Sequence, residues 1–218
     1  MNKFVVLLLL CALAPAQPRR DPEAPEVRFV SNILDDVQHT WDRLLPQQEH
    51  RAYRHAKLVL YRDRYPSGCG AAKSSTGPFY CPPDEKVYLD LGFFKELRTR
   101  FGAPGDFAQA YVIAHEFGHH VQKILGRRGP SVPLELQADC FAGVWANNTE
   151  RRGLAGSNDI EAAMRAAASV GDDRLQRLGQ GYVNPEKFTH GSSAERVRWF
   201  RRGVASGRLA DCNTFGPR

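Results

Sequence analysis

Apolar positions along this chain recur with definite periods, and the periods predict most of its elements. Between residues 27 and 45, Val30, Ile33, Leu34, Val37, Trp41 and Leu44 recur at the spacing of one buried helix face. Residues 57–61 have strand character, and Val87-Tyr88-Leu89-Asp90-Leu91 alternates as a strand after the turn-forming Pro82-Pro83-Asp84-Glu85. The Gly- and Ser-rich stretch 67–77 reads as a loop. A short helix is expected over 93–100, broken by the glycines and proline of 102–105. A long helical pattern then opens at Asp106, expected as N-cap with Gln109 three residues on, and ends at Gly126. Only residues 126–132 separate it from the next helical pattern, so the two helices are expected as antiparallel neighbours. Residues 157–170 form a further amphipathic pattern, and Ser192 with Glu195 makes a capping box before a last helix, 196–205. No internal repeat is visible. Together these predict an α+β fold, mostly α, with a small antiparallel sheet packed on the helix that opens at Asp106.

The N-terminus stands apart from this pattern. Lys3 precedes an apolar run from Phe4 to Ala14, followed by Ala14-Pro15-Ala16, the small-x-small pattern of a leader-cleavage site. Eleven apolar residues are too few to span a bilayer comfortably. Residues 1–16 therefore read as a signal peptide, with export to a secreted or periplasmic setting. An uncleaved leader serving as membrane anchor is second choice, and a lipoprotein reading through Cys11 is weakened by Leu10, where a small residue belongs. Residues 17–26, rich in proline and charge, read as a linker ahead of one domain over 27–215. Loss of the leader takes Cys11 with it and leaves Cys69, Cys81, Cys140 and Cys212. An even count in an exported chain favours two disulfides. Of three possible pairings, Cys69–Cys81 with Cys140–Cys212 is preferred. A four-cysteine zinc site competes poorly, because no C-x-x-C spacing is present.

The formal charge of +6 comes mostly from arginine, including the pairs Arg127-Arg128, Arg151-Arg152 and Arg201-Arg202. A solvated basic surface is the ordinary account, and it leaves room for weak association with anionic surfaces. No nucleic-acid-binding signature accompanies the charge, so nucleic acid is not an expected partner. The pattern says nothing of oligomeric state.

Chemistry concentrates in His115-Glu116-Phe117-Gly118-His119-His120, which contains H-E-x-x-H inside a helical pattern. Residues i and i+4 share a helix face, so His115 and His119 can offer both imidazoles to one metal. Glu116 can lean over the open coordination position as general base for an attacking water. Glu135, sixteen residues after His119, is expected as the third ligand, because a catalytic zinc takes three protein ligands and keeps one position open. Asp139, at i+4 from Glu135, would accept the spare N–H of a ligand imidazole and fix its tautomer. An exchange of roles between these two carboxylates is the minor alternative. Their apolar neighbours make a solvated acidic face a poor account, since buried carboxylates need partners. The expected cofactor is one catalytic Zn2+. A donor for the oxyanion formed on an amide is sought in Thr189-His190-Gly191-Ser192-Ser193-Ala194-Glu195-Arg196, with His190 or Arg196 as candidates and Tyr182 as a weaker one. The plain alternative is a surface histidine and a helix-end arginine. The 87–91 strand could hold a substrate backbone as an added strand, or be an ordinary core strand.

Longer motifs carry a specific resemblance. Phe79-Tyr80-Cys81-Pro82, Val87-Tyr88-Leu89-Asp90-Leu91, Phe101-Gly102-Ala103-Pro104-Gly105-Asp106-Phe107 and Ala114-His115-Glu116-Phe117-Gly118-His119-His120 all contribute. So do the stretches 134–140, 171–176 and 188–192. Together they resemble the bacterial neutral zinc metallopeptidase family over residues 27–215. More distantly, H-E-x-x-H followed by E-x-x-x-D resembles the gluzincin arrangement, and the His190–Arg196 segment is similar to the Thr-His-Pro…Arg stretch of membrane-associated zinc peptidases. The resemblance implies a zincin-like fold, zinc on His115, His119 and Glu135, Glu116 as base, Asp139 orienting a ligand histidine, and His190 as oxyanion donor. In one departure, residues 126–132 form a shorter link between the metal helices than is common in the family, which puts substrate preference in question. The expected function is an exported zinc metalloendopeptidase acting on a peptide or protein. Its rivals are a non-catalytic zinc-stabilised module that binds an anionic partner, and a cell-wall peptide amidase with the same metal chemistry.

Overall fold

The computed structural model describes residues 24–99 and 105–216. The expected signal peptide, most of the expected linker and most of the 102–105 helix break lie outside the described residues. Helix α1, Ala24–Glu49, begins inside the stretch read as linker. Pro25 falls in its first turn, where a missing N–H costs no intrahelical bond. Its stripe of Val30, Val37, Trp41 and Leu44 is buried in the main core, with Ile33 and Leu34 packed beside it.

Five short strands follow: β1 Lys57–Tyr61, β2 Arg64–Ser67, β3 Gly70–Lys73, β4 Phe79–Cys81 and β5 Lys86–Asp90. Three form one sheet in the order β1-β5-β4. The small sheet expected as antiparallel is mixed: β5 runs parallel to β1, with Lys57 opposite Lys86, and antiparallel to β4, with Phe79 opposite Tyr88. The cause is the chain path. After β1 the chain turns aside into an antiparallel β2–β3 hairpin, and β5 then returns along β1 in the same direction. That hairpin occupies part of the stretch read as loop. It buries only Ala72, so no alternation of apolar residues announces it. The Cys69–Cys81 disulfide ties the hairpin turn to β4.

The rest is helical: α2 Phe93–Thr99, α3 Asp106–Ile124, α4 Ser131–Arg151, α5 Ser157–Ser169, α6 Asp172–Gln180 and α7 Ser193–Ser206. Asp106 is the first residue of α3 rather than its cap. Gly105 takes the cap position with no side-chain bond, so the expected box with Gln109 does not form. Asp106 instead places its charge at the positive end of the helix dipole. Paired backbone bonds close the other end of α3, from Gly126 N to Lys123 O (3.2 Å) and from Arg127 N to Gln122 O (2.9 Å). The Ser192–Glu195 capping box ahead of α7 forms as expected. Helix α6 lies beyond the expected elements. Asp172 is its only fully buried residue, so it carries little apolar signal.

Helices α4 and α7 cross backbone to backbone. A Cβ on Gly203 would lie 2.0 Å from Cys140 O, and one on Gly143 would lie 2.1 Å from Phe200 O. No side chain fits at either position, so two glycines set the depth of the crossing. The Cys140–Cys212 disulfide and a bond from Gln137 Nε2 to Cys212 O (2.9 Å) hold the C-terminal segment against α4. No helix among the described residues is long and apolar enough to cross a membrane.

Because overpacking costs a close-packed crossing about 1–3 kcal/mol, Gly203→Ala should lower unfolding stability by about that much in urea titration. Gly179→Ala in α6, where a Cβ meets nothing, should change stability by less than about 1 kcal/mol.

Candidate metal centre

Helices α3 and α4 are antiparallel at the site. Contacts that advance along α3, from Tyr111 and His115 to His119 and Gln122, retreat along α4 from Asp139 to Glu135 and Leu134. Gly118 permits the approach, since a Cβ there would sit 3.0 Å from Ala138 O. The i, i+4 pair His115 and His119 therefore faces Glu135. His115 Nε2 lies 3.2 Å from Glu135 Oε2, and His119 Nε2 lies 3.3 Å from Glu135 Oε1.

Each imidazole is anchored by its other nitrogen. His115 Nδ1 donates to Asp139 Oδ1 at 2.9 Å, and His119 Nδ1 donates to Gln122 Oε1 at 2.9 Å. Gln122 in turn donates from Nε2 to Leu134 O at 2.7 Å, which settles which end of its amide faces the ring. With both Nδ1 atoms protonated, both Nε2 lone pairs point at one place. Donor atoms of His115, His119 and Glu135 all lie within 4.8 Å of one another. Two donors each about 2.1 Å from a tetrahedral ion are about 3.4 Å apart, close to the separations found. Two imidazoles and one carboxylate suit zinc by chemistry as well as by distance. The residues present fit the ion.

The charges around this triad balance. Asp139 is fully buried and accepts from His115, from the Tyr111 hydroxyl, and from Arg196 Nε (2.8 Å) and Nη2 (2.9 Å). Burial would raise its pKa, but Arg196 and His115 outweigh it and hold the carboxyl below its ordinary value. Glu135 is likewise held well below the carboxylate range by His115 and His119, against the opposing effect of burial. Burial pushes the His115 imidazolium down, while Asp139 and Glu135 more than reverse it and raise the pKa to about 10.

The triad lies on the floor of a cleft of about 1160 Å³. The 74–80 segment, which runs into β4, also lines it, as do Leu175 of α6 and His190. Glu116 also lines the cleft, 7 % exposed, and its carboxylate has no hydrogen bond or ion pair among the described residues.

A family model described as "Putative neutral zinc metallopeptidase" matches residues 13–215. The chain belongs to this family. It is 46 % identical over 215 residues to the Uncharacterized protein YpfJ of Escherichia coli K12, covering 91 % of this chain and 74 % of that protein. It is 42 % identical over 203 residues to the Uncharacterized protein Rv2575 of Mycobacterium tuberculosis H37Rv, covering 83 % of this chain and 68 % of that protein. No solved structure matches.

For this family member the remaining candidates separate clearly. His190 lines the cleft, half-exposed, with Nδ1 3.2 Å from Asp172 Oδ1 and 2.9 Å from Thr189 Oγ1. Backbone N–H groups of Thr189, His190 and Gly191 all donate to Asp172 Oδ2, so one carboxylate shapes the whole loop. Arg196, the alternative oxyanion donor, is 3 % exposed and spends its donors on Asp139, Tyr111 and Val170 O. It lines the cleft as well, but its nearest partner is Asp139. Tyr182 is 60 % exposed and does not line the cleft. Strand β5 is paired on both edges and is a core strand; β1 and β4 are the edge strands of this sheet among the described residues, and β4 is the one that lines the cleft.

Four contributors go beyond the expected residues. Tyr111 is four residues before His115 and Gln122 three after His119, so both share the ligand face by simple periodicity. Asp172 gives no such local signal. His120, fully buried, accepts from the Tyr80 hydroxyl at Nδ1 (2.9 Å) and donates from Nε2 to Arg54 O (2.6 Å), joining α3 to β4. Burial keeps its pKa low, in keeping with a neutral ring that both accepts and donates.

Removing or neutralising the acceptor behind a candidate ligand imidazole should weaken zinc binding about ten- to a hundredfold. Gln122→Met, which keeps side-chain volume, and Asp139→Asn should both show this in competition with a chromophoric chelator. Asp139→Asn should also lower folding stability, because Arg196 is left as an unpaired buried charge.

Proposed function

We propose that this protein is an exported zinc-dependent endopeptidase that cleaves peptides or proteins. The observation that carries the reading is the pair of Nδ1 anchors, which commit both Nε2 atoms and Glu135 to one point in an open cleft. A structural zinc takes four protein ligands. The cluster here has three members among the described residues, and all four cysteines of the domain are in disulfides. That favours an open catalytic position over the zinc-stabilised binding module. Export is supported by the leader-like N-terminus and by the two disulfides, which persist in oxidising compartments.

Zinc bound at this triad would supply Lewis-acid polarisation of the scissile carbonyl and lower the pKa of water to about 7. Glu116, which lines the same cleft and has no hydrogen bond or ion pair among the described residues, takes the proton from the attacking water and returns it to the leaving amine. His190, oriented through Nδ1 by Asp172, offers Nε2 to the oxyanion. Arg196 and Tyr111 act at one remove by keeping Asp139 charged and in place behind His115. The free edge of β4 aligns the substrate backbone as an added strand.

Wild type and Glu116→Gln should each retain about one zinc per chain, while cleavage of a peptide library falls about a hundredfold or more in the variant. Equal cleavage by the two proteins would defeat the mechanism. His190→Ala should keep its zinc and lose about a hundredfold in kcat, with much less change in KM.

A further inference from the structure

The link between α3 and α4 does more than turn the chain. Lys123 lies four residues after His119, on the same face of α3 and about 6 Å further along its axis. Arg127 and Arg128 follow in the turn, and all three side chains line the same cleft as the metal triad. Apart from Glu116 and Glu135, Glu96 on α2 is the only acidic side chain lining that cleft among the described residues.

These cations are weakly engaged. Lys123 and Arg128 are exposed and have no ion pair among the described residues. Lys123 feels Glu85, but that carboxylate is already held by Arg54 Nη2 at 3.0 and 3.1 Å. Arg127 reaches Glu49 only at 3.9 Å, and its Nε is buried with no hydrogen-bond partner. Buried donors in native proteins are normally satisfied, and a guanidinium N–H is best satisfied by a carboxylate.

Resting on the peptidase reading above, we infer that Lys123, Arg127 and Arg128 form a subsite for a substrate carboxylate. Two sources offer that chemistry: an Asp or Glu side chain, and the C-terminal carboxylate of the substrate chain. The short link is thereby a selectivity element, because it carries two of the three cations to the mouth of the cleft.

The test is binding, with cleavage as a separate readout. Fluorescein-labelled octapeptides are titrated by anisotropy against zinc-loaded Glu116→Gln protein, so that the probes survive. One set carries Glu or Gln at each position in turn with an amidated C-terminus. The other carries Gln throughout and ends in a free acid or an amide. A carboxylate peptide should bind about tenfold tighter than its neutral counterpart, with the advantage shrinking as salt rises. The set that shows the advantage identifies the source.

Adding Lys123→Glu with Arg128→Glu, both at exposed positions, should abolish or invert the advantage while zinc content stays at the parent level. Equal binding of acid and neutral peptides to the parent overturns the subsite. So does an advantage that survives the charge reversal, which would put the carboxylate on the metal. If wild type cleaves none of the peptides yet the charge-dependent advantage is present, the peptidase reading fails and the carboxylate subsite stands.

Discussion

Asp139 keeps a negative charge where no solvent reaches it, and such a charge is tolerated only when surrounding donors replace water. The donors come from two other helices: Tyr111 and His115 on α3, Arg196 on α7. Removing one partner of a buried pair of this kind costs about 3–5 kcal/mol, because the other charge is left uncompensated. Three helices are therefore held at fixed distance by a single carboxylate, and much of the site follows from it. The tautomer of His115 is set by Asp139, the direction of its Nε2 by that tautomer, and the convergence with His119 on Glu135 by that direction. The glycine crossing of α4 and α7 belongs to the same arrangement, since Arg196 reaches Asp139 because α7 lies so close.

What could be read from the sequence was what obeys local rules. The ligand face of α3 and the Glu135–Asp139 pair follow from helical periodicity, and His115, Glu116 and His119 share one motif. The pairing of Arg196 with Asp139 escaped because it depends on how α7 docks on a helix some sixty residues earlier, a matter decided by Gly143 and Gly203 at their crossing. Asp172 escaped for the same reason, meeting His190 from eighteen residues away. Strands β1 and β5 were legible as strands, but not their relative direction, which depends on the path between them. The β2–β3 hairpin and α6 bury too little apolar surface to impose a pattern on the sequence. Asp106 was displaced by one position, a boundary difference that local signals seldom resolve.

The β4 side of the cleft has a different physical basis from the metal triad. β4 is three residues long and hydrogen-bonds to a neighbour on one edge only. Its own ladder is short for a strand that must hold position. Two further ties support it: the Tyr80–His120 bond to α3 and the Cys69–Cys81 disulfide to the hairpin. The second disulfide lies behind the floor, with Cys140 adjacent in sequence to Asp139. Covalent bonds thus reinforce the site from both sides while taking no part in its chemistry.

Helix α3 is buried along nearly its whole length, and only one stripe of it opens on the cleft. The H-E-x-x-H residues of the candidate site thus sit on a deeply buried helix, whereas other parts of the cleft lining come from a three-residue strand, a short helix and the six-residue link 125–130. Such a division decouples two kinds of change. In the proposed peptidase, walls of this construction can be lengthened, recharged or reshaped over generations without disturbing the buried triad, so the choice of substrate is free to change while the metal chemistry stays.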